Sequence, residues 1–448
     1  MFFEVSVNLL NKKPSITDIY PPNGDSDRNS DAWLPMEKTK RVFFVTKLSN
    51  TPDLEMLTMP GVLLEEDIED EMGEPIIVCC KEAKAGCKRG SLTAGLSPTE
   101  RRLRELIQVG AYGAAINHTA ALLALYGQGR GKQGHRTTHS PQSLQIWYIR
   151  IALLVKIKSF AVAQAEAQPF SQLEKPDIFY QYYPELYGNR TGSMASFNFR
   201  LLLAELPMIC GKPKDSLRKL FCIWATIKRM LKNLKQGLCE DGSSSISDTD
   251  KTNSLKLWTI RESKVMYSIV NCSCSIKDYA LAIEMLVHLC ERDGAPKHVL
   301  LSALGRLHLQ TGNISDAEVC FNESSHCGSN SVRGLVDKGL LAIAQNNYEE
   351  AYVCFQQANC LDPSNIMILN NMSVSLFHAG QTKEAIAVLE SAISSKPVGG
   401  VHESLILNLC TLYDMQSSRG IMKKFALLRQ MSKYSADAPT TILEKLYG

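Results

Sequence analysis

From about Ser97 to the C-terminus, apolar residues recur every three or four positions, and almost no stretch alternates as a β-strand would. This spacing places the apolar side chains on one face of each predicted helix. Short turn-forming segments separate the helices. The pattern therefore predicts an all-α chain built from helices joined by short turns.

In the C-terminal half, this helical pattern repeats every 34 residues. Small, bulky and helix-ending residues recur in the same order: Ala317, Phe321 and Ser324; then Ala351, Phe355, Ala358 and Pro363; then Ala385, Leu389, Ala392 and Pro397. The turns before them also match, at Gly312, Asn346 and Gly380. Paired helices with this period are typical of tetratricopeptide repeats. The sequence therefore predicts an α-solenoid of tetratricopeptide-type helix hairpins.

The repeated residues have a packing explanation. Small residues leave room where two helices cross closely: Gly305 and Gly339 on first helices, and the alanines on second helices. The bulky residues one turn later are expected to fill the groove toward the next repeat. Pro363 and Pro397 are expected to end the second helices, because proline cannot donate the backbone hydrogen bond that continues a helix. The first residue of each turn is expected to be left-handed.

Composition divides the chain into five segments. The N-terminal one is turn-rich and acidic, which predicts a mostly disordered tail with short motifs. The last is expected to cap the stack with a polar outer face. The predicted segments are the tail, 1–96; divergent helical repeats, 97–239; a Gly/Ser/Asp-rich linker, 240–254; tetratricopeptide repeats, 255–397; and capping helices, 398–448.

Charge and cysteine content narrow the possible functions. A net charge of +3 is too small to indicate a nucleic-acid binder. The 14 cysteines include no Cys-x-x-Cys pair, so we expect free thiols serving as small apolar side chains and no metal site. The nine histidines are scattered, and no catalytic set or small-molecule cofactor site is indicated. No apolar run reaches the roughly 18 residues of a membrane span, and no targeting signal is expected, so a cytoplasmic location is favoured.

Two segments are candidates for binding a partner. Residues 175–190, KPDIFYQYYPELYGNR, are rich in tyrosine, which is enriched at protein interfaces. The second segment, 212–236, predicts a basic amphipathic helix, which either lies in the repeat stack with a solvated basic face or contacts a membrane or partner groove. The candidate interface residues are Tyr180, Tyr182, Tyr183, Tyr187, Trp224, Lys228 and Arg229.

Two other segments are unusual in composition. Residues 126–136, YGQGRGKQGHR, are glycine-rich and basic but lack phosphate-loop spacing, so a flexible insertion is favoured. Residues 65–75, EEDIEDEMGEP, form an acidic block whose charges would repel one another in a helix.

Several stretches resemble one family in the same order along the chain. They are DAWLPMEKTKR, LTMPGV, SLQIWYIRIALLVKI, KPDIFYQYYPELYGNRTGSM, LKNLKQGLCEDG, QNNYEEA and LYDMQSSRGIMKK. Together they are similar to the family of the repeat-containing twelfth subunit of the transport protein particle (TRAPP) complex. The Tyr-rich stretch and the SSR segment are the distinctive motifs, because the repeat consensus alone fits many unrelated proteins.

The resemblance implies a non-catalytic scaffold subunit. It implies a vesicle-tethering complex acting between endoplasmic reticulum and Golgi, with other TRAPP subunits as direct partners. A Rab-type GTPase and vesicle membranes would be indirect partners, and the expected location is peripheral at the intermediate compartment or Golgi. Members of this family are also linked to autophagy and to chromosome attachment in mitosis.

A second reading is a generic tetratricopeptide adaptor or co-chaperone outside membrane traffic. Such a clamp uses Lys, Asn and Arg on first helices to hold an acidic tail. Here the corresponding places hold Ser302, Arg306, Asp337 and Met367, and only Asn271 matches. We expect Asp337 to repel an acidic tail.

Overall fold

The computed structural model describes residues 102–103, 105–107, 111–129, 138–171, 173–187, 192–240, 242, 245, 247–292, 294–326, 332–363, 365–395, 403–416 and 420–434. Within these ranges the regular structure is helical, apart from isolated bridges joining Phe179 to Ser193 and Leu238 to Ser245. The predicted tail, 1–96, lies outside the described residues. None of the described helices is long and apolar enough to cross a membrane.

The fold divides into two compact units, one ending at Asp278 and the other beginning at Tyr279. The helices of the first unit are α1 (Tyr112–Leu125), α2 (Pro141–Lys156), α3 (Phe160–Ala167), α4 (Pro184–Tyr187), α5 (Phe197–Ile209), α6 (Pro213–Lys235) and α7 (Asp248–Ser275). Three single-turn 3-10 segments, Gln168–Phe170, Pro176–Ile178 and Tyr180–Tyr182, lie between α3 and α4.

Local sequence explains where α2 begins and how it is held. Ser140 and Ser143 form a reciprocal capping box, and Pro141 occupies the first helical position, where its missing N–H costs nothing. Farther along the helix, Arg150 donates two hydrogen bonds of 2.7 Å to Glu166 of α3. The same guanidinium donates to the carbonyl of Ile116 in α1 at 2.8 Å. One side chain therefore ties three helices together.

Pro207 lies inside α5, although proline is disfavoured within helices. It sits near the helix end, where only the carbonyl of Leu203 loses its donor. The ammonium of Lys219 on α6 lies 3.3 Å from that carbonyl and can donate to it. A neighbouring helix thus replaces the missing hydrogen bond, which sequence periodicity could not show.

A buried carboxyl joins α5 to α7. The hydroxyl of Ser268 donates a short hydrogen bond to Glu205 Oε1. Burial raises the pKa of Glu205 to about 7, although the hydrogen bond from Ser268 lowers it. This carboxyl is therefore held largely in its neutral form in mildly acidic conditions.

The linker predicted at 240–254 is partly wrong, because α7 begins at Asp248. Its first residue is also anchored, because the indole of Trp258 donates to Glu240 Oε1 at 2.7 Å. Serine and aspartate favour helix N-termini as well as linkers, so composition alone does not separate the two.

In its described part, the second unit consists of one helix followed by four successive helix hairpins. Its helices are α8 (Tyr279–Cys290), α9 (Lys297–Thr311), α10 (Ile314–His326), α11 (Val332–Ala344), α12 (Tyr348–Leu361), α13 (Ile366–His378), α14 (Thr382–Ser395), α15 (Glu403–Gln416) and α16 (Gly420–Tyr434). The turns at Gly312, Asn346 and Gly380 are all left-handed, with φ of 79°, 60° and 83°. The predicted turn geometry is therefore present in three successive hairpins.

Aromatic rings cover the first-helix glycines. A Cβ built at Gly305 would lie 2.5 Å from the Phe321 ring, and one at Gly339 would lie 2.7 Å from the Phe355 ring. Each phenylalanine thus packs on the glycine of its own hairpin. Phe355 also shares a core cluster with Ile368 and Met372 of the next hairpin, which is the direction predicted from the sequence.

The third hairpin has a different pair of residues at the position where its two helices cross. Ser373 stands where the others have glycine, and Leu389 stands where they have phenylalanine. The Ser373 hydroxyl donates to the carbonyl of Ala385 at 2.9 Å. The second-helix alanines are fully buried in all three hairpins: Ala317, Ala351 and Ala385. Pro363 follows the end of α12 at Leu361, and Pro397 lies outside the described residues.

Candidate interaction surfaces

The Tyr-rich segment is anchored to the core of the first unit. Tyr180 is only 3% exposed, and its ring packs edge-on against Tyr187, with centroids 5.0 Å apart. Its backbone N–H donates to the carbonyl of Gly192 at 2.9 Å. The prediction that Tyr180 belongs to an exposed interface is therefore wrong. Tyr187 is half-buried beside it.

Tyr182 and Leu186 form the outer face of this segment. Tyr182 is 55% exposed and Leu186 is 67% exposed. The half-buried ring of Tyr183 lies perpendicular to Tyr182, with centroids 5.0 Å apart, and supports it from below. Burial raises the pKa of Tyr183, so its hydroxyl stays neutral. We call this outer face, Tyr182 with Leu186, the tyrosine surface.

A buried arginine holds the base of the tyrosine surface. Arg200 on α5 donates to the hydroxyl of Ser193 at 2.8 Å and lies 3.7 Å from the carboxylate of Glu174. Burial lowers the pKa of Arg200 to about 10, while Glu174 acts in the opposite direction. The backbone of Met194 also donates to Ile178 at 2.8 Å. The sequence analysis did not identify Arg200, because the sequence does not show that its side chain contacts residues 174 and 193 in the fold.

The apolar stripe of the basic helix α6 is packed inside the first unit. Leu217, Leu220, Ile227, Leu231 and Leu234 are all buried. A helix that lies on a membrane would need that stripe to contact the bilayer. The prediction that α6 lies on a membrane is therefore wrong, and the alternative, a packed helix with a solvated basic face, is correct. The indole of Trp224 is half-buried and donates to Glu262 Oε1 at 3.0 Å, which fixes its orientation.

The solvent side of α6 carries a row of lysines. Lys228, Lys232 and Lys235 are exposed and lie three and four residues apart, on one face. The ammonium of Lys228 sits 3.6 Å from the centroid of the Trp224 ring. Arg229 is partly buried beside them. We call the three exposed lysines the basic face.

The first helices of the second unit are linked by buried polar pairs. Arg306 on α9 donates to Asp337 on α11 at 3.0 Å, and Asp337 is only 2% exposed. Asn408 on α15 donates to Asn370 on α13 at 2.8 Å. Arg306 thus neutralises Asp337 across the hairpins, so the expectation that Asp337 repels an acidic tail is wrong.

The last hairpin does not present the polar outer face that the sequence predicted. Ile421, Met422 and Phe425 on α16 are between 52% and 73% exposed. The opposite side is tightly docked: a Cβ at Gly420 would lie 2.8 Å from the carbonyl oxygen of Tyr413, and Lys424 pairs with Asp414 at 2.6 Å. The motif LYDMQSSRGIMKK, residues 412–424, thus covers the end of α15 and the start of α16, where these contacts lie.

The base of the glycine-rich insertion is fixed, whereas residues 130–137 lie outside the described part of the chain. Gln128 accepts a hydrogen bond from the indole of Trp147 at 2.9 Å and donates to the carbonyl of Thr138 at 3.0 Å. The described cysteines are free thiols. Burial raises the pKa of Cys320 and Cys354, so these two thiols stay protonated near neutral pH.

These observations define a class of protein: the fold is that of a tetratricopeptide-type helical-repeat protein. No family model matches the chain. Among solved structures, a tetratricopeptide repeat protein from Parabacteroides merdae is 12% identical, covering 68% of this chain and all of its own, with a TM-score of 0.39. Yeast Tom70 is 11% identical, covering 78% of this chain and 84% of its own, with a TM-score of 0.32. Both superpositions are loose, so the fold assignment rests on the repeat geometry described above.

Two curated sequences are similar to the chain over most of its length. The human trafficking protein particle complex subunit 12 is 36% identical over 94% of this chain, and the mouse protein is 36% identical over the same share. The chain is similar to these two proteins over nearly its whole length, as its motifs predicted. It spans 59% of the human protein's length and 54% of the mouse protein's.

Proposed function

We propose that the chain is a non-catalytic scaffold subunit of a TRAPP-type vesicle-tethering complex acting between endoplasmic reticulum and Golgi. The observation that carries the proposal is the 36% identity to subunit 12, which extends over nearly the whole chain. Its direct partners are other TRAPP subunits. A Rab-type GTPase and vesicle membranes are engaged through the assembled complex, which places the chain at the intermediate compartment or Golgi surface. A role in autophagy belongs to the same proposal.

The mechanism follows from the architecture. Stacked helix hairpins offer extended surfaces whose shape is set by packing, so partners bind without a chemical step. The tyrosine surface suits this role, because Tyr182 and Leu186 offer apolar area on a segment already ordered by Arg200 and Tyr180. Ordering the segment before binding lowers the entropic cost of association. It also lies within a stretch that resembles the family in sequence.

The co-chaperone alternative is disfavoured by the second unit. A carboxylate clamp needs free cationic and amide groups on first helices. Here Arg306 is occupied by the buried Asp337, and Met367 occupies the place of the next lysine. No observation of the described residues favours this second function.

The proposal is tested by affinity purification of the tagged chain from cells of its own organism, followed by quantitative mass spectrometry. The expected result is recovery of the other TRAPP subunits with the unmodified chain. The double variant Tyr182→Ala, Leu186→Ala is expected to lower that recovery at least fivefold. The matched control, Val319→Ala with Val353→Ala, removes two exposed side chains from repeat helices and should leave recovery unchanged. Absence of TRAPP subunits from the unmodified sample would refute the proposal.

A further inference from the structure

Within the described part of the chain, the basic face of α6 has no negatively charged partner. Among the described residues, no carboxylate pairs with Lys228, Lys232 or Lys235. By contrast, Asp215 at the other end of the helix pairs with Arg218 at 3.2 Å. Lysines four residues apart on a helix repel each other modestly, so the row is electrostatically unfavourable when nothing covers it.

Two features show which kind of partner fits this face. The cationic row extends over two helical turns, and at one end Lys228 lies over the half-buried ring of Trp224. The neighbouring apolar stripe is already buried in the first unit, so the surface offers charge with little apolar area. It therefore suits an extended acidic peptide better than an apolar helix or a lipid bilayer.

The chain itself contains such a peptide. Residues 65–71, EEDIEDE, carry six acidic side chains in seven positions and no basic one. About 30 residues, 72–101, separate this block from the described part of the first unit. A segment of that length can reach up to ~100 Å when extended. It is thus long enough to return to α6 from the start of the unit that contains α6.

We propose that the basic face of α6 docks the chain's own acidic block, residues 65–71. Tethering favours this occupant over a free acidic peptide, because an attached segment acts at an effective concentration in the millimolar range. The interaction is electrostatic, so it weakens as salt shortens the screening length.

Competition between tethered and free block tests the inference on the full chain. A fluorescent peptide of residues 62–75 is titrated by anisotropy in low salt. Its targets are the unmodified chain and a chain neutralised within the block, with Glu65, Glu66, Glu69 and Glu71 changed to Gln, and Asp67 and Asp70 changed to Asn. We expect the neutralised chain to bind the peptide at least tenfold more tightly than the unmodified chain, because its basic face is open.

Two further variants, both made in the neutralised chain, locate the site. Changing Lys228, Lys232 and Lys235 to Gln should abolish peptide binding. Changing the exposed lysines Lys256, Lys338 and Lys383 to Gln removes the same charge elsewhere and should leave binding unchanged. Circular dichroism checks that both variants remain helical. Binding that persists without the three α6 lysines, or equal affinity for the unmodified and neutralised chains, would overturn the proposal.

A zero-length carboxyl–amine cross-linker gives an independent readout on the unmodified chain. Links between residues 65–71 and the lysines of α6 should form at low salt, persist on tenfold dilution and disappear in about 1 M salt, where screening acts within ~3 Å. Links only between separate molecules, or binding of the neutralised chain to anionic vesicles but not to the peptide, would contradict intramolecular docking. This proposal does not depend on the proposed function: loss of TRAPP binding would leave the peptide competition unaffected.

Discussion

Adding one methyl group at Gly339 tests the repeat packing most sharply. Its Cβ would lie 2.7 Å from two atoms and 3.1 Å from a third atom of the Phe355 ring. That ring is fully buried, so it cannot swing into solvent. Overpacking of this kind costs about 1–3 kcal/mol, whereas glycine to alanine within a helix gains about 0.5–1 kcal/mol. We expect Gly339→Ala to destabilise the second unit by about 0.5–2 kcal/mol.

The chain itself suggests the compensating change. In the third hairpin a Cβ at Ser373 coexists with Leu389 in place of phenylalanine. Phe355→Leu alone should destabilise, because it leaves a cavity. Combined with Gly339→Ala, it should give a double variant more stable than the sum of the single effects by about 0.5–2 kcal/mol, since contacting residues couple.

The assay must report on the second unit alone. All four tryptophans precede Tyr279, so indole fluorescence follows the first part of the chain and serves as an internal control. Hydrogen exchange of α11 and α12, measured by mass spectrometry across a urea series, gives the local free energy of unfolding. A stabilising Gly339→Ala, or strictly additive single and double variants, would refute the glycine–phenylalanine packing.

Three further predictions concern stability. Arg306→Ala should destabilise the second unit by about 3–5 kcal/mol in chemical denaturation, because it leaves the buried carboxylate of Asp337 without its charged partner. A double variant, Arg306→Met with Asp337→Leu, should recover most of that loss. Tyr180→Ala should cost about 3–4 kcal/mol while Tyr182→Ala costs under about 0.5 kcal/mol, and equal effects in thermal melts would contradict the assigned burial. Glu205 has a raised folded-state pKa, so its contribution is fully present below the unfolded pKa near 4.5 and is lost as pH rises toward about 7. The melting temperature of the unmodified chain should therefore fall relative to Glu205→Gln between pH 5 and 7, and parallel pH profiles would count against a neutral buried carboxyl.

The sequence predicted what periodicity encodes. The spacing of Ala351, Phe355 and Pro363 identified the hairpins, and the left-handed turn at Asn346 followed from it. Tyr180 was misassigned because the Tyr-rich segment consists of 3-10 turns and a four-residue helix, which show no regular alternation of buried and exposed positions. Only the fold shows that the first tyrosine points inward and that Tyr182 points outward.

Interactions between elements were not predictable. Arg306 and Asp337 lie 31 positions apart and meet because successive first helices are neighbours. Lys219 compensates for Pro207 through the carbonyl of Leu203, a relation set by how α5 and α6 pack. The exposed apolar residues of α16, such as Met422, follow the same helical period as buried ones, so the sequence could not show which face the unit leaves uncovered.

Direct reconstitution tests the central claim, that the chain binds TRAPP subunits as a helical-repeat scaffold. TRAPP complex purified from cells that lack their own subunit 12 would be mixed with the purified chain and separated by size-exclusion chromatography. The account predicts that the chain co-migrates with the complex in a fixed ratio and that Tyr182→Ala, Leu186→Ala reduces its incorporation. A chain that elutes alone at every ratio would contradict it.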